Sequence, residues 1–262
     1  MATAFVTLCD ALYFPRACRT IHELRTHGKW TGDIVLIAVD FTPPPLPNTF
    51  VWVVTHIDTN GLVADLRAHP IKPQLDNRHF DKLTQWDKLY VFHGCLRRWD
   101  RIVFLDAGLR VAGPVDPLLA LEWKGKFLAP NDAGPYDDGK RFGCQVDLHG
   151  KPSAVFRFSA EYPNSLTREY FLNCIFVYDT ALLDKCSMSE MVDMMNAFPI
   201  CMCNEMGIMN MVFTLRLNVW EPFPVRVGDR YLFGWNESDF RDKPSWESFH
   251  FLKYSSSMVQ PV

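Results

Sequence analysis

No apolar run in this chain approaches the roughly 20 residues that cross a bilayer, and the opening MATAFVTLCDALYF lacks the basic start and small-residue cleavage site of an export signal. Together these absences predict a cytoplasmic protein with no transmembrane segment. Positive charge is not in excess: 27 Lys and Arg against 30 Asp and Glu give a net charge of −3. No overall basic field therefore recommends a nucleic-acid partner. The cysteines lack the C-x-x-C spacing of a structural zinc site; Cys9, Cys18, Cys95, Cys144 and Cys174 stand singly, and Cys201 and Cys203 form a C-x-C. Reduced thiols are expected. Three nucleotide and acyl-transfer signatures are also missing. The first strand runs into TLCDALY rather than G-x-G-x-x-G, and neither a G-x-x-x-x-G-K-[ST] loop nor a G-x-S-x-G elbow occurs.

What is present is apolar and patterned. Of 262 residues, 48% are hydrophobic and 14% aromatic, enough for a sizeable core. AFVTL (4–8) and DIVLIAVD (33–40) predict buried strands. Between them Ala17, Ile21 and Leu24 keep helical spacing, and Gly28 suits a C-cap. TPPPLPNT (42–49) must be a loop, because consecutive prolines hold neither ladder nor helix. FVWVVTHI (50–57) predicts a third strand. From Phe80 to Trp99, Trp86, Leu89, Leu96 and Trp99 lie near one face of an expected helix. KFLAPND and YFLNCIFVYD read as further strands around a polar insertion from Asp132 to Thr167, and SEMVDMMNAF and NEMGIMNMVFTL as helices. RYLFGW and WESFHFLKYSSS suggest two short strands and a polar tail. Strands alternating with helices predict an α/β fold with a mostly parallel central sheet, in one domain over 1–262.

The chemical signal is RIVFLDAGLRVAGPVD (101–116), a buried strand that stops at Asp106 and reaches Gly108 two residues later. Strand ends of this kind gather ligand groups in open α/β sheets. A carboxylate there suits Mg²⁺ or Mn²⁺ bridging a diphosphate. It equally suits an acid that caps its own turn, with glycine supplying a positive φ.

Several blocks bear on that choice. AFVTL, WDKLYVF, RIVFLDAGLRVAGPVDPLL, KFLAPNDAGPY, FLNCIFVYDT, NEMGIMNMVF and FHFLKYSSS resemble, in order and across nearly the whole chain, the glycogenin-like family 8 glycosyltransferases of the GT-A fold. The resemblance implies a nucleotide-sugar-binding half (1–110), a sugar and acceptor half (111–262), and retaining transfer from a UDP-sugar to an acceptor hydroxyl. It implies nucleotide contacts from Thr7, Tyr13, Asp106, Ala107, Gly108 and Lys253, and donor-sugar contacts from Lys88, Asp132 and Asn173. Arg78 is a weaker companion of Lys88. Glu205 and Asp132 take the catalytic positions, and Asp106 and His250 would hold a divalent cation, Mn²⁺ by preference. The acceptor, whether glycan, protein or small molecule, is not readable.

The departures are as informative as the matches. The family's Asp-x-Asp is here Asp106-Ala107-Gly108, which removes one carboxylate ligand and puts metal dependence in question. Its Asp-Gln pair is Glu205-Met206, and Lys253 stands where a glycine is expected. A catalytically silent nucleotide-sugar binder is the competing reading. A nucleotidyltransferase or pyrophosphatase would need a basic triphosphate loop near the first strand, and TLCDALYF supplies none.

Overall fold

The computed structural model describes residues 1–71, 82–236 and 240–254; Arg78, Phe80 and the serines at 255–257 lie outside them. The apolar runs form β1 (Thr3–Cys9), β2 (Asp33–Val39), β3 (Phe50–Val54) and β4 (Arg101–Leu105), which pair in parallel in the order β3-β2-β1-β4. Beyond β4 the direction reverses. A strand at Ile175–Asp179 runs antiparallel to β4, and segments at Phe127–Ala129 and Trp220–Pro222 complete seven strands. A second sheet of four short strands joins Arg110–Val111, Phe249–Leu252, Arg230–Gly234 and Arg226–Val227 in that spatial order.

Alternation along β4 separates two cores. Ile102 and Phe104 join Val6, Phe92, Phe127 and Phe176 on one face, whereas Val103 and Leu105 join Phe5, Leu24, Ile175 and Val177 on the other. Both faces of the sheet are therefore covered, which explains why these strands read as continuous apolar runs rather than alternating ones. Phe127 and Phe213 stack with ring centroids 4.2 Å apart.

The helix α1 (Phe14–Thr26) carries Pro15 in its first turn and ends where Gly28 N donates to Glu23 O at 2.9 Å. Its buried face docks the segment after β4. Thr20 Oγ1 donates to Leu109 O at 2.8 Å and accepts from Gly108 N at 3.1 Å. Buried Glu23 accepts from Arg110 Nε at 2.6 Å and from Val111 N at 2.9 Å. The strand end bearing Asp106 is thus fixed by its neighbour helix.

Three local expectations change. The stretch before β4 folds as two 3₁₀ segments, Leu83–Phe92 and Gly94–Arg98, rather than one α-helix. At three residues per turn Trp86, Leu89 and Phe92 eclipse on one line, and all three are buried. The polar insertion holds an α-helix, Pro152–Glu161. The helix Glu205–Asn210 continues as a π-helical turn over Met211–Arg216. None of the eight cysteines is in a disulfide, and among the described residues no helix is long and apolar enough to cross a membrane.

Candidate active site

Four elements meet at the carboxyl end of β4. Asp106 N donates to Cys174 O at 2.8 Å, which ties the strand end to the segment entering the antiparallel strand beside it. Gly108 adopts φ +93°, a conformation that disfavours any side chain. Lys88 comes from the 3₁₀ segment, Asn173 from the residues just before Ile175, and Glu205 from the first turn of its helix.

Their side chains form one polar cluster. Lys88 Nζ lies 3.0 Å from Asp106 Oδ1 and 3.1 Å from Glu205 Oε1, and donates to the Asn173 side-chain and backbone oxygens at 3.3 Å. Asn173 Nδ2 donates to Glu205 Oε1 at 2.8 Å. Lys253 Nζ approaches Asp106 Oδ2 at 3.4 Å. Lys88 is 9% exposed and Glu205 3%, so water screens little of this. Burial opposes the charge on Lys88, yet Asp106 and Glu205 outweigh it and raise its pKa. Burial likewise pushes Asp106 upward, but the two ammonium groups leave it below its ordinary value. For Glu205 burial wins, and its carboxyl is held above the usual glutamate range despite Lys88. Glu205 Oε2 is buried with no hydrogen-bond partner among the described residues, a costly state for an acceptor.

These groups open onto a cavity of about 520 Å³, lined also by Asp10, Tyr13, Arg16, Ala107 and Gly108. Tyr13 is 40% exposed, with the Arg16 guanidinium 5.1 Å from its ring centre. The structure therefore places Tyr13, Lys88, Asp106, Ala107, Gly108, Asn173, Glu205 and Lys253 on one cavity. Thr7 does not line the cavity; it is buried in β1, and its hydroxyl has no partner among the described residues.

Asp132 lies elsewhere. It lines a neighbouring cavity of about 660 Å³ with Tyr136, Lys140, Tyr170, Phe223 and Phe240. Tyr170 Oη donates to Asp132 Oδ2, and Lys140 Nζ stands 3.7 Å from Oδ1. Leu172, Cys203, Met206 and Trp235 line both spaces. Hence Met206 forms part of an apolar divide between them.

His250 lines neither cavity. Its ring Nδ1 lies 2.9 Å from Pro114 O; since a carbonyl only accepts, Nδ1 carries the proton. Burial lowers its pKa. It is packed near Arg230 around Gly113, where an added Cβ would meet Arg230 Nη1 at 2.2 Å and His250 Nδ1 at 3.0 Å.

A divalent cation does not fit this donor set. Both Asp106 oxygens face ammonium groups. At Gly108, where a second carboxylate would stand, a Cβ would already lie 3.3 Å from the Arg16 side chain. Among the described residues no group of three or more His, Cys, Asp or Glu is arranged to hold a metal.

Two contributors were not anticipated. Asn210 is fully buried and clamps the Phe171 backbone, accepting from its N at 2.9 Å and donating to its O at 3.0 Å. It thereby fixes the segment carrying Asn173. Its signal was present in NEMGIMN, whose last residue is this asparagine. Arg16 had no signal beyond lying three residues after Tyr13.

No family model matches the sequence, and no curated protein matches it. Solved structures do. The galactosyltransferase LgtC, in complex with donor and acceptor sugar analogues, is 11% identical over 97% of this chain and 87% of its own, with a TM-score of 0.60. The apo-form glycosyltransferase GlyE of Streptococcus pneumoniae TIGR4 is 13% identical over 98% of this chain and 55% of its own, at 0.59. Core-mannan synthase A of Aspergillus fumigatus, in a Mn/GDP form, is 10% identical over 85% and 73%, at 0.51. The chain has the mixed α/β fold of the GT-A glycosyltransferases.

Proposed function

We propose that this chain is a retaining glycosyltransferase that moves a sugar from a nucleoside-diphosphate donor, uridine-linked by preference, to an acceptor hydroxyl. The observation that carries this reading is the buried Lys88–Glu205–Asn173 cluster at the strand end, with an unsatisfied carboxylate oxygen on Glu205. Donor-sugar hydroxyls supply the hydrogen bond that oxygen lacks. Tyr13 offers a flat, half-exposed face for the base, and the Ala107–Gly108 turn lines the same cavity.

In the reaction the bond between the anomeric carbon and the phosphate oxygen breaks, and its electron pair leaves on the diphosphate. The acceptor oxygen forms the new bond from the same face, and its proton passes to the departing phosphate oxygen. The buried Glu205 carboxylate stabilises positive charge developing on the sugar. The adjoining cavity, rich in aromatic rings and holding Asp132 and Lys140, suits the acceptor, whose hydroxyl then enters past Met206. Retention rests on the family resemblance.

The competing silent reading draws on Met206 and Gly108. A panel of uridine- and guanosine-linked sugars, assayed for released nucleoside diphosphate, separates the two. Release from a uridine-linked donor is expected; tight nucleotide binding without release from any donor favours the silent protein. Neither binding nor release overturns both.

A further inference from the structure

We propose that this chain neutralises the donor's diphosphate with side-chain cations, Lys253 foremost with Arg16 beside it, and uses no divalent metal. The inference rests on the nucleotide-sugar reading above and deepens it. In place of a cation between carboxylates, the site holds one carboxylate between ammonium groups: Lys88 on Asp106 Oδ1 and Lys253 on Oδ2.

The two lysines are not equivalent. A lysine ammonium has three donors. Those of Lys88 face Asp106, Glu205 and Asn173 at 3.0–3.3 Å, so its charge is balanced by buried acids. Among the described residues Lys253 has one long polar contact, 3.4 Å to Asp106, and its side chain, 19% exposed, lies on the cavity wall. It keeps donors for a ligand. Backbone geometry sets it there, because Leu252 pairs with Arg110 in the second sheet and Lys253 N donates to Gly234 O at 2.9 Å. Arg16 approaches from α1. Its aliphatic carbons fill the space a side chain at 108 would need, and its guanidinium lies over Tyr13.

Of the other carboxylates on this cavity, Asp10 is engaged by Tyr13 N at 2.9 Å, and Asp87 by His56 Nδ1 at 2.7 Å and Ile57 N at 2.8 Å. Among the described residues neither joins Asp106 in a group of three ligands that could hold a metal. Asp106 thereby becomes a positioning residue that holds Lys253 toward the phosphates, and an ammonium supplies the charge stabilisation that the leaving group needs.

The test is calorimetric titration of UDP, GDP and uridine into the full chain, in EDTA and in Mn²⁺, with Lys253→Met and Lys253→Arg alongside wild type. We expect UDP to bind equally in EDTA and Mn²⁺. Lys253→Met should weaken UDP at least about tenfold, equivalent to about 1.4 kcal/mol, without changing uridine binding, and Lys253→Arg should retain most of it. UDP binding that appears only with Mn²⁺ overturns the inference and leaves the proposed function standing. Metal-free UDP binding that ignores Lys253→Met overturns the assignment to this lysine. Failure of UDP and GDP to bind under either condition overturns the nucleotide-sugar reading and this inference with it.

Discussion

The ammonium of Lys88 stands 3.1 Å from the Glu205 carboxylate, and both side chains are almost wholly out of water. Removing one member leaves the other as an uncompensated buried charge. Lys88→Met should therefore cost about 3–5 kcal/mol in denaturant unfolding. Adding Glu205→Gln should recover part of that loss, which a simple packing defect at position 88 would not allow.

The same pair sets a pH dependence. Burial holds the Glu205 carboxyl above the ordinary 4.5, and the proposed reaction needs it ionised. The acid limb of turnover should lie above 4.5, and Glu205→Gln should flatten it while lowering the rate about 100-fold. An acid limb unmoved by that change would assign it to another group. For Asp106 the shift is downward and the readout is stability. Its folded pKa lies below the ordinary 3.8, so its contribution is present above 3.8 and disappears as pH falls through the folded value.

Gly108 holds φ +93° against α1. Gly108→Ala should destabilise the fold by about 1–3 kcal/mol, by forcing a side chain into that conformation, and should weaken nucleotide binding. Thermal unfolding with and without UDP measures both effects.

Asn210 acts at one remove. Asn210→Ala leaves the Phe171 N–H and C=O without their partner in the core, which should cost about 1–3 kcal/mol. Turnover should fall as well, because the Phe171–Asn173 segment loses its anchor.

Asp132 lies on only one of the two cavities, the one proposed for the acceptor. It lines the neighbouring cavity, so Asp132→Asn should raise the acceptor KM far more than it affects donor hydrolysis. Equal effects on both would place Asp132 on the donor side.

Much of the fold was legible because the central strands are buried on both faces and announce themselves as apolar runs; β1, β2 and β4 fall where AFVTL, DIVLIAVD and RIVFL put them. The 3₁₀ geometry before β4 was not, since apolar residues at i, i+3 serve both helix types over a few turns. Of the proposed site, Asp106 stood out in the sequence as an acid at a strand end, and Asn173 and Glu205 through blocks that resemble a known family; the fold brings the three onto one cavity. His250 and Asp132, both named from the sequence, fall outside the Asp106 cavity, because which cavity a side chain faces depends on the second sheet and on the polar insertion. Neither leaves a periodic trace in the sequence.

The most direct measurement is a crystal structure of the full chain with UDP bound to a non-hydrolysable sugar. The diphosphate should lie within salt-bridge distance of Lys253, with a sugar hydroxyl hydrogen-bonded to Glu205 Oε2. A nucleotide sugar bound away from the Lys88–Asp106–Glu205 cluster, or no binding at saturating concentration, would contradict the proposed site.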